Sequence, residues 1–290
     1  MITILSWGGI GDTLRNIGLV PHAFLFRKFG IRCRVVYLHW KLTGALEHAN
    51  PPEPDFFREL VERCPSLVWG GEIKGRQRAG RIVSRAVREL VKFFHHNAPR
   101  YFPCDFRLTP EERSMLPERA PGFVVGVQTH LSGMKTKQWG LANWQTYLHL
   151  LLAGVNDLSI VLFDSEAQVE QLCGDPRIRS TRGLNIAQSI ALIEQLDLLV
   201  SIDSWSKYVA ASRKIPQLIV VPDQRSEYPE LSAQYLARNS FEGIFDQPQN
   251  AFIGLSGTQQ APQLTLDRIA DLTPQQLAKK TLEMIRAVRH

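Results

Sequence analysis

The sequence predicts an α/β protein made of two Rossmann-like units joined by a proline-rich hinge. Three observations carry this. Short apolar runs alternate with amphipathic stretches along the 290 residues, the pattern of βαβ units with parallel strands. The texture changes at 103–122, where "PCDFRLTPEERSMLPERAPGF" holds four prolines. After it, strand and helix signals restart cleanly.

In order, 2–5 reads as a strand and 12–29 as a helix. A second strand is expected at 34–38, a helix at 56–63, a short strand at 66–69 and a basic helix at 82–94. Thr109-Pro110-Glu111-Glu112 has the cap, first-turn proline and acid of a helix start. The second half predicts strands at 123–128, 159–163, 198–202 and 217–221. Helices are expected at 144–152, 186–195 and from 207 to 212. Thr273-Pro274 repeats the helix-start signature before a terminal helix. The expected domains are 1–115, 116–272 and a C-terminal helix at 273–290.

Composition places the chain among ordinary soluble globular proteins, with 44% hydrophobic and 21% charged residues. No apolar run approaches the roughly 20 residues of a membrane helix, and the N-terminus lacks the basic leader of a signal peptide. The four cysteines are far apart with no CxxC, which argues against a metal knuckle or disulfide scaffold. A cytoplasmic protein with reduced thiols is expected. The net charge is +6, and the excess lies in the first half: residues 1–120 hold 19 Lys and Arg against 12 Asp and Glu. Residues 74–100 are densest, with eight cations, Arg78 and Arg81 among them, against Glu89. Such a run attracts anions or is a solvated helix face, and both readings stand. Nucleic acid is a further reading of that run, although stacking residues in it are limited to Phe93, Phe94 and the His95-His96 pair.

Three segments could carry chemistry. In "SWGGIGDTLRNIGL", Gly8-Gly9-Ile10-Gly11-Asp12 links a strand to a helix. Glycines permit a tight turn and close ligand approach, and helix N–H groups favour an anion. As a dinucleotide fingerprint it is poor: Leu14 occupies the third glycine position, and the second strand ends in Tyr37-Leu38-His39 without an acid. Asp12 is a helix cap or a base. In "QTHLSGMKTKQWGLANW", Ser132 and Gly133 follow a strand's carboxyl end, where α/β sheets bind ligands. Lys135 and Lys137 can meet phosphate, while Trp139 and Trp144 are expected to close the loop on the core. In "LLVSIDSWSKYVAASRKIPQLIVVPD", Asp203 and Ser204 sit where a strand meets a helix. Ser204, Ser206 and Lys207 form an anion site or simply cap the helix.

The three segments together resemble the family 9 glycosyltransferases, which include the ADP-heptose:lipopolysaccharide heptosyltransferases of the GT-B fold. The matching residues are Gly11-Asp12-Thr13-Leu14 running to Pro21, then Lys137-Gln138-Trp139-Gly140 with Asn143-Trp144, then Asp203-Ser204-Trp205-Ser206-Lys207-Tyr208-Val209-Ala210-Ala211 with Ile215-Pro216. Trp205 stands where the family motif has glycine, and Tyr208 where it has histidine. The N-terminal domain is short for the family. The resemblance implies two Rossmann-like domains facing a cleft, and an inverting, metal-independent transfer of a sugar from a nucleotide-diphosphate donor. By the same resemblance that donor is ADP-heptose, a co-substrate rather than a bound cofactor.

It further implies Asp12 as general base. Ser132, Gly133, Lys137, Asp203, Ser204, Trp205, Ser206 and Lys207 are the implied donor site, the serines, glycine and lysines on the diphosphate and Asp203 on a hydroxyl. Gly9, Gly11, Arg15, Arg78 and Arg81 are the expected acceptor side, suited to an anionic glycan or glycolipid and to contact with the inner face of the membrane. No nucleic-acid partner is expected. The alternative is a non-catalytic nucleotide-sugar- or partner-binding protein on a transferase fold.

Overall fold

A computed structural model describes residues 2–6, 14, 17, 22–38, 54–73, 104–129, 138–164, 167–202, 204–220, 249–253 and 269–290. They fall into two compact units, one ending at Glu111 and the other beginning at Glu112.

The first unit contains β1 (Ile2–Ser6), α1 (His22–Phe29), β2 (Cys33–Leu38), α2 (Pro54–Glu62) and β3 (Leu67–Ile73). Its strands form a parallel sheet in the order β1-β2-β3. Leu14 and Ile17 are helical and buried, inside the helix expected over 12–29. Helix α2 starts at Pro54, two residues before the expected start, because proline lacks only an N–H that the first turn leaves unpaired. It buries Phe57, Leu60 and Val61, spaced for one helical face. The Phe57 ring stacks on Tyr37 of β2 at 4.3 Å. Strand β3 runs four residues past its expected end. The register shifts between Val35 and Tyr37 of β2, and β3 takes up an extra residue there, with Gly71 at φ +94°. Gly70-Gly71 therefore makes a bulge and does not stop the strand. The basic helix expected at 82–94 lies outside the described residues.

The second unit follows the expected alternation closely. A one-turn helix α3 (Pro110–Ser114) leads to β4 (Phe123–Gln128), α4 (Leu141–Gly154) and β5 (Leu158–Leu162). Next come a 3-10 turn at Ala167–Leu172, β6 (Ile178–Ser180), α5 (Ile186–Ile193) and β7 (Leu198–Ile202). Helix α6 (Ser206–Ser212), β8 (Gln217–Val220), β9 (Ala251–Ile253), a 3-10 turn at Ile269–Asp271 and α7 (Pro274–Arg289) complete it. Strands β6 and β9 were not expected: three residues are too few to show a period, and each forms at the edge of a preorganised sheet. All six strands are parallel, in the order β6-β5-β4-β7-β8-β9, which is the doubly wound order 3-2-1-4-5-6.

Alternate residues of these strands build the core. Val125, Val127, Ile160, Leu162, Leu198 and Val200 face Trp144, Tyr147 and Leu151 of α4 and Leu277 and Ile285 of α7. The expected closure by tryptophans is seen: Trp139 and Trp144 are buried and meet edge to face at 4.8 Å. Trp139 Nε1 donates to Leu272 O at 2.8 Å, one residue before Thr273 caps α7. The Thr273 cap is a full capping box with Gln276 and has Pro274 in the first turn, as its sequence signature indicated. Asn185 and Gln188 form a second capping box on α5. Both also donate to Glu112, the Asn185 amide to the carboxylate and the Gln188 amide to the backbone carbonyl, which ties α3 to α5.

Candidate functional site

In a doubly wound sheet the chain leaves the central strand in both directions, and loops part at the carboxyl ends where it reverses. Here the reversal lies between β4 and β7, which are neighbours while β5 is on the other side of β4. The described residues at this edge are Gln128 ending β4 and Thr129 after it, Phe163 and Asp164 after β5, Ser201 near the end of β7, and Ser204 to Lys207 opening α6.

Thr129 is buried and its Oγ1 donates to Asp164 Oδ2 at 2.6 Å. The Gln128 amide Nε2 donates to Phe163 O, and Phe163 N donates to Val127 O at 2.8 Å. These bonds lock the ends of β4 and β5 together. The Phe163 ring approaches Gly126 of β4: a Cβ there would lie 3.0 Å from Phe163 Cε2, so glycine makes room for the ring. Trp205 in turn presents an edge-to-face contact to Phe163 at 6.4 Å.

Polar capacity is left over at the same edge. Gln128 Oε1, Ser201 Oγ and Ser206 Oγ are buried and have no hydrogen-bond partner among the described residues, as is also true of Trp144 Nε1 and the Gln217 amide away from this edge. Gln128 and Ser201 are register partners on adjacent strands. Buried polar atoms without partners are rare, because each forfeits its bonds to water. A cluster of them at a switch point has the chemistry to receive the hydroxyl and phosphate oxygens of a ligand.

Of the residues expected to hold a donor, Ser204 and Trp205 are half-buried and Ser206 and Lys207 are buried. Lys207 Nζ lies 4.7 Å from the centre of the Tyr208 ring, a cation–π contact that stabilises a desolvated ammonium. Ser132, Gly133, Lys137 and Asp203 lie outside the described residues, as do Gly9, Gly11, Asp12, Arg15, Arg78 and Arg81. The sequence reading passed over Gln128, Thr129, Asp164 and Ser201. A signal for Asp164 existed: a doubly wound unit places a sugar-binding acid at the end of its second strand, and "VLFD" ends that strand in the second unit.

Among the described residues no group of three His, Cys, Asp or Glu could hold a metal ion, and no helix is long and apolar enough to cross a membrane.

A second polar cluster lies in the first unit. His22 Nδ1 and Ser66 Oγ share a hydrogen bond of 2.7 Å, Cys64 Sγ is 3.2 Å from Ser66 Oγ, and Cys104 Sγ is 4.0 Å from His22 Nε2. Burial drives the His22 pKa down to about 4 against the opposing pull of Asp105, and burial raises that of the Cys64 thiol. This cluster is a buried, neutral core network among the described residues.

No protein-family model matches the chain, and no curated protein matches it in sequence. Solved structures do match in fold. The ADP-heptose lipopolysaccharide heptosyltransferase II of E. coli superposes with a TM-score of 0.54 at 16% identity, over 99% of this chain and 98% of that one. The E. coli heptosyltransferase WaaC, solved with an ADP-2-deoxy-2-fluoro heptose, gives 0.52 at 13% identity over 97% and 99%. A family 9 glycosyl transferase of Veillonella parvula gives 0.54 at 12% identity over 98% and 97%. With its parallel sheets in two units, this chain has the GT-B fold of the heptosyltransferases and the family 9 glycosyltransferases.

Proposed function

We propose that the chain is a glycosyltransferase that moves a sugar, heptose by resemblance, from a nucleotide-diphosphate donor to a hydroxyl of an anionic glycan or glycolipid. The observation that carries this reading is the reversal of strand order between β4 and β7, where Gln128 Oε1, Ser201 Oγ and Ser206 Oγ are buried without partners among the described residues, on a fold shared with heptosyltransferases.

In this reading the transfer inverts the anomeric carbon and needs no metal. An acceptor oxygen attacks as the bond to the diphosphate breaks, and Asp12 takes the acceptor proton. The departing diphosphate gains charge, which Ser132, Gly133, Lys137, Ser204, Ser206 and Lys207 stabilise with preplaced donors. A buried ammonium suits that task, since its field is weakly screened. Asp203 and Asp164 accept from sugar or ribose hydroxyls. The domains are the expected 1–115, 116–272 and 273–290, with Gly9, Gly11, Arg15, Arg78 and Arg81 on the acceptor side. The protein works in the cytoplasm at the inner membrane face, where a phosphorylated glycolipid acceptor is within reach.

The test is calorimetric titration of the full chain with ADP-, UDP- and GDP-sugars, followed by transfer assays with and without a chelator and NMR of the product anomer. Binding of one donor, transfer that survives chelation, inversion, and loss of turnover in Asp12→Ala with donor affinity retained are expected. Full activity of Asp12→Ala eliminates the proposed base. Donor binding without transfer to any phosphorylated glycan favours a non-catalytic binder, the reading to which the bulky Trp205 beside the anion site lends weight.

A further inference from the structure

Helix α1 half-buries Leu25 and Phe26 but leaves two further phenylalanines on its exposed face. Its buried residue is His22, whereas Phe24 and Phe29 are 53% and 58% exposed. A surface helix ordinarily faces phenylalanine to the core and polar side chains to water. The two rings meet edge to face at 6.1 Å, so they shield each other in part without reaching the interior. The helix closes with Gly30 at φ +65°, which donates to Phe26 O at 2.9 Å, and with Ile31 N donating to Leu25 O at 3.3 Å. Ile31, which follows the glycine, stays 38% exposed.

Cations are interleaved with the apolar residues. Lys28 Nζ lies 5.7 Å from the centre of the Phe24 ring and 5.9 Å from that of Phe29. The Arg32 guanidinium lies 5.5 Å from the centre of Phe26. Arg27 reaches Asp105 at 3.4 Å with both side chains largely in solvent, an ion pair worth little in water. Asp105 is the acid paired with this group among the described residues.

We propose that α1 and the turn through Arg32 form a docking face for an anionic lipid bilayer. Phenylalanine and isoleucine without polar atoms enter the boundary between headgroups and acyl chains. Lysine and arginine beside them extend to the lipid phosphates. Charge separates this occupant from a second copy of the chain, since a symmetric contact would bring two copies of the same cationic face together. The proposal rests on the first unit alone and stands whether or not the chain transfers a sugar.

Cosedimentation of the full chain with vesicles tests it, comparing phosphatidylglycerol mixed into phosphatidylcholine with phosphatidylcholine alone, at low and high salt. Binding to the anionic vesicles that weakens with salt is expected. Phe24→Ser with Phe29→Ser lowers the partition coefficient at least about tenfold, and Lys28→Gln and Arg32→Gln each lower it about fivefold. Thermal melts and nucleotide-sugar binding remain those of the parent chain, because these side chains are in solvent and outside the donor site. Equal binding to both vesicle types, no binding, or anionic binding that survives the double phenylalanine change overturns the proposal. So does a dimer, seen by light scattering, that the double change abolishes while vesicles stay unbound.

Discussion

Thr129 Oγ1 donates to Asp164 Oδ2 at 2.6 Å and so joins the carboxyl ends of two adjacent parallel strands. The bond orients the Asp164 carboxylate at the edge where the sheet reverses its strand order. It also satisfies a fully buried hydroxyl that would otherwise be stranded.

Asp164→Asn keeps an oxygen for the threonine while removing the charge. Under the transferase reading it weakens nucleotide-sugar binding by about tenfold to a hundredfold, the value of a hydrogen bond to a charged acceptor, and leaves the melting temperature nearly unchanged. Calorimetric titration beside a thermal melt reads both quantities, and unaltered affinity removes Asp164 from the site.

Gly126→Ala overpacks the space beneath Phe163. The added Cβ meets Leu196 Cδ1 and Phe163 Cε2, and these buried side chains must shift to admit it. The cost is about 1–3 kcal/mol, a fall of several degrees in melting temperature. Donor affinity falls with it, since Phe163 precedes Asp164 and touches Trp205.

Trp139→Phe separates structure from chemistry in the second motif. The Nε1 donor to Leu272 O is lost, leaving a buried carbonyl without its partner at the start of α7. A loss of about 1–3 kcal/mol follows with donor affinity retained. A large fall in affinity with normal stability would make Trp139 a ligand contact instead.

His22 makes the first unit sensitive to acid. Its folded pKa of about 4 lies below the ordinary 6.5, so the unfolded chain binds the proton more readily. The stabilisation is complete above pH 6.5 and is lost as pH falls toward 4, to a total of about 3 kcal/mol. Thermal melts from pH 7.5 to 4.5 read it. His22→Gln, which can still bond Ser66, flattens the difference between these pH values; an identical pH dependence in the variant refutes the assignment.

Much of the fold was legible because it depends on local pattern. "FVVGVQ" is apolar at nearly every position, as a strand covered on both faces must be, and β4 occupies those six residues. Thr273-Pro274 with Gln276 carries its own hydrogen-bonding instructions, and α7 begins there. Gly70-Gly71 is less legible, because a glycine pair serves a turn and a bulge alike, and the neighbouring strand decides which.

By itself the sequence determined the α/β class, four of the six strands of the second unit and the resemblance in three ordered motifs, since these follow from residue periodicity and spacing. Tertiary structure alone decided which strands are neighbours, and hence that β4 and β7 flank the reversal. It paired Thr129 with Asp164 across 35 residues and left Gln128, Ser201 and Ser206 with spare polar atoms in one place. It also left Phe24 and Phe29 of α1 exposed. A periodic pattern identifies an apolar face, but its direction depends on what the rest of the chain offers to cover it. At α1 the interior accepted a histidine bonded to Ser66 and left the Phe24 and Phe29 rings to the surface.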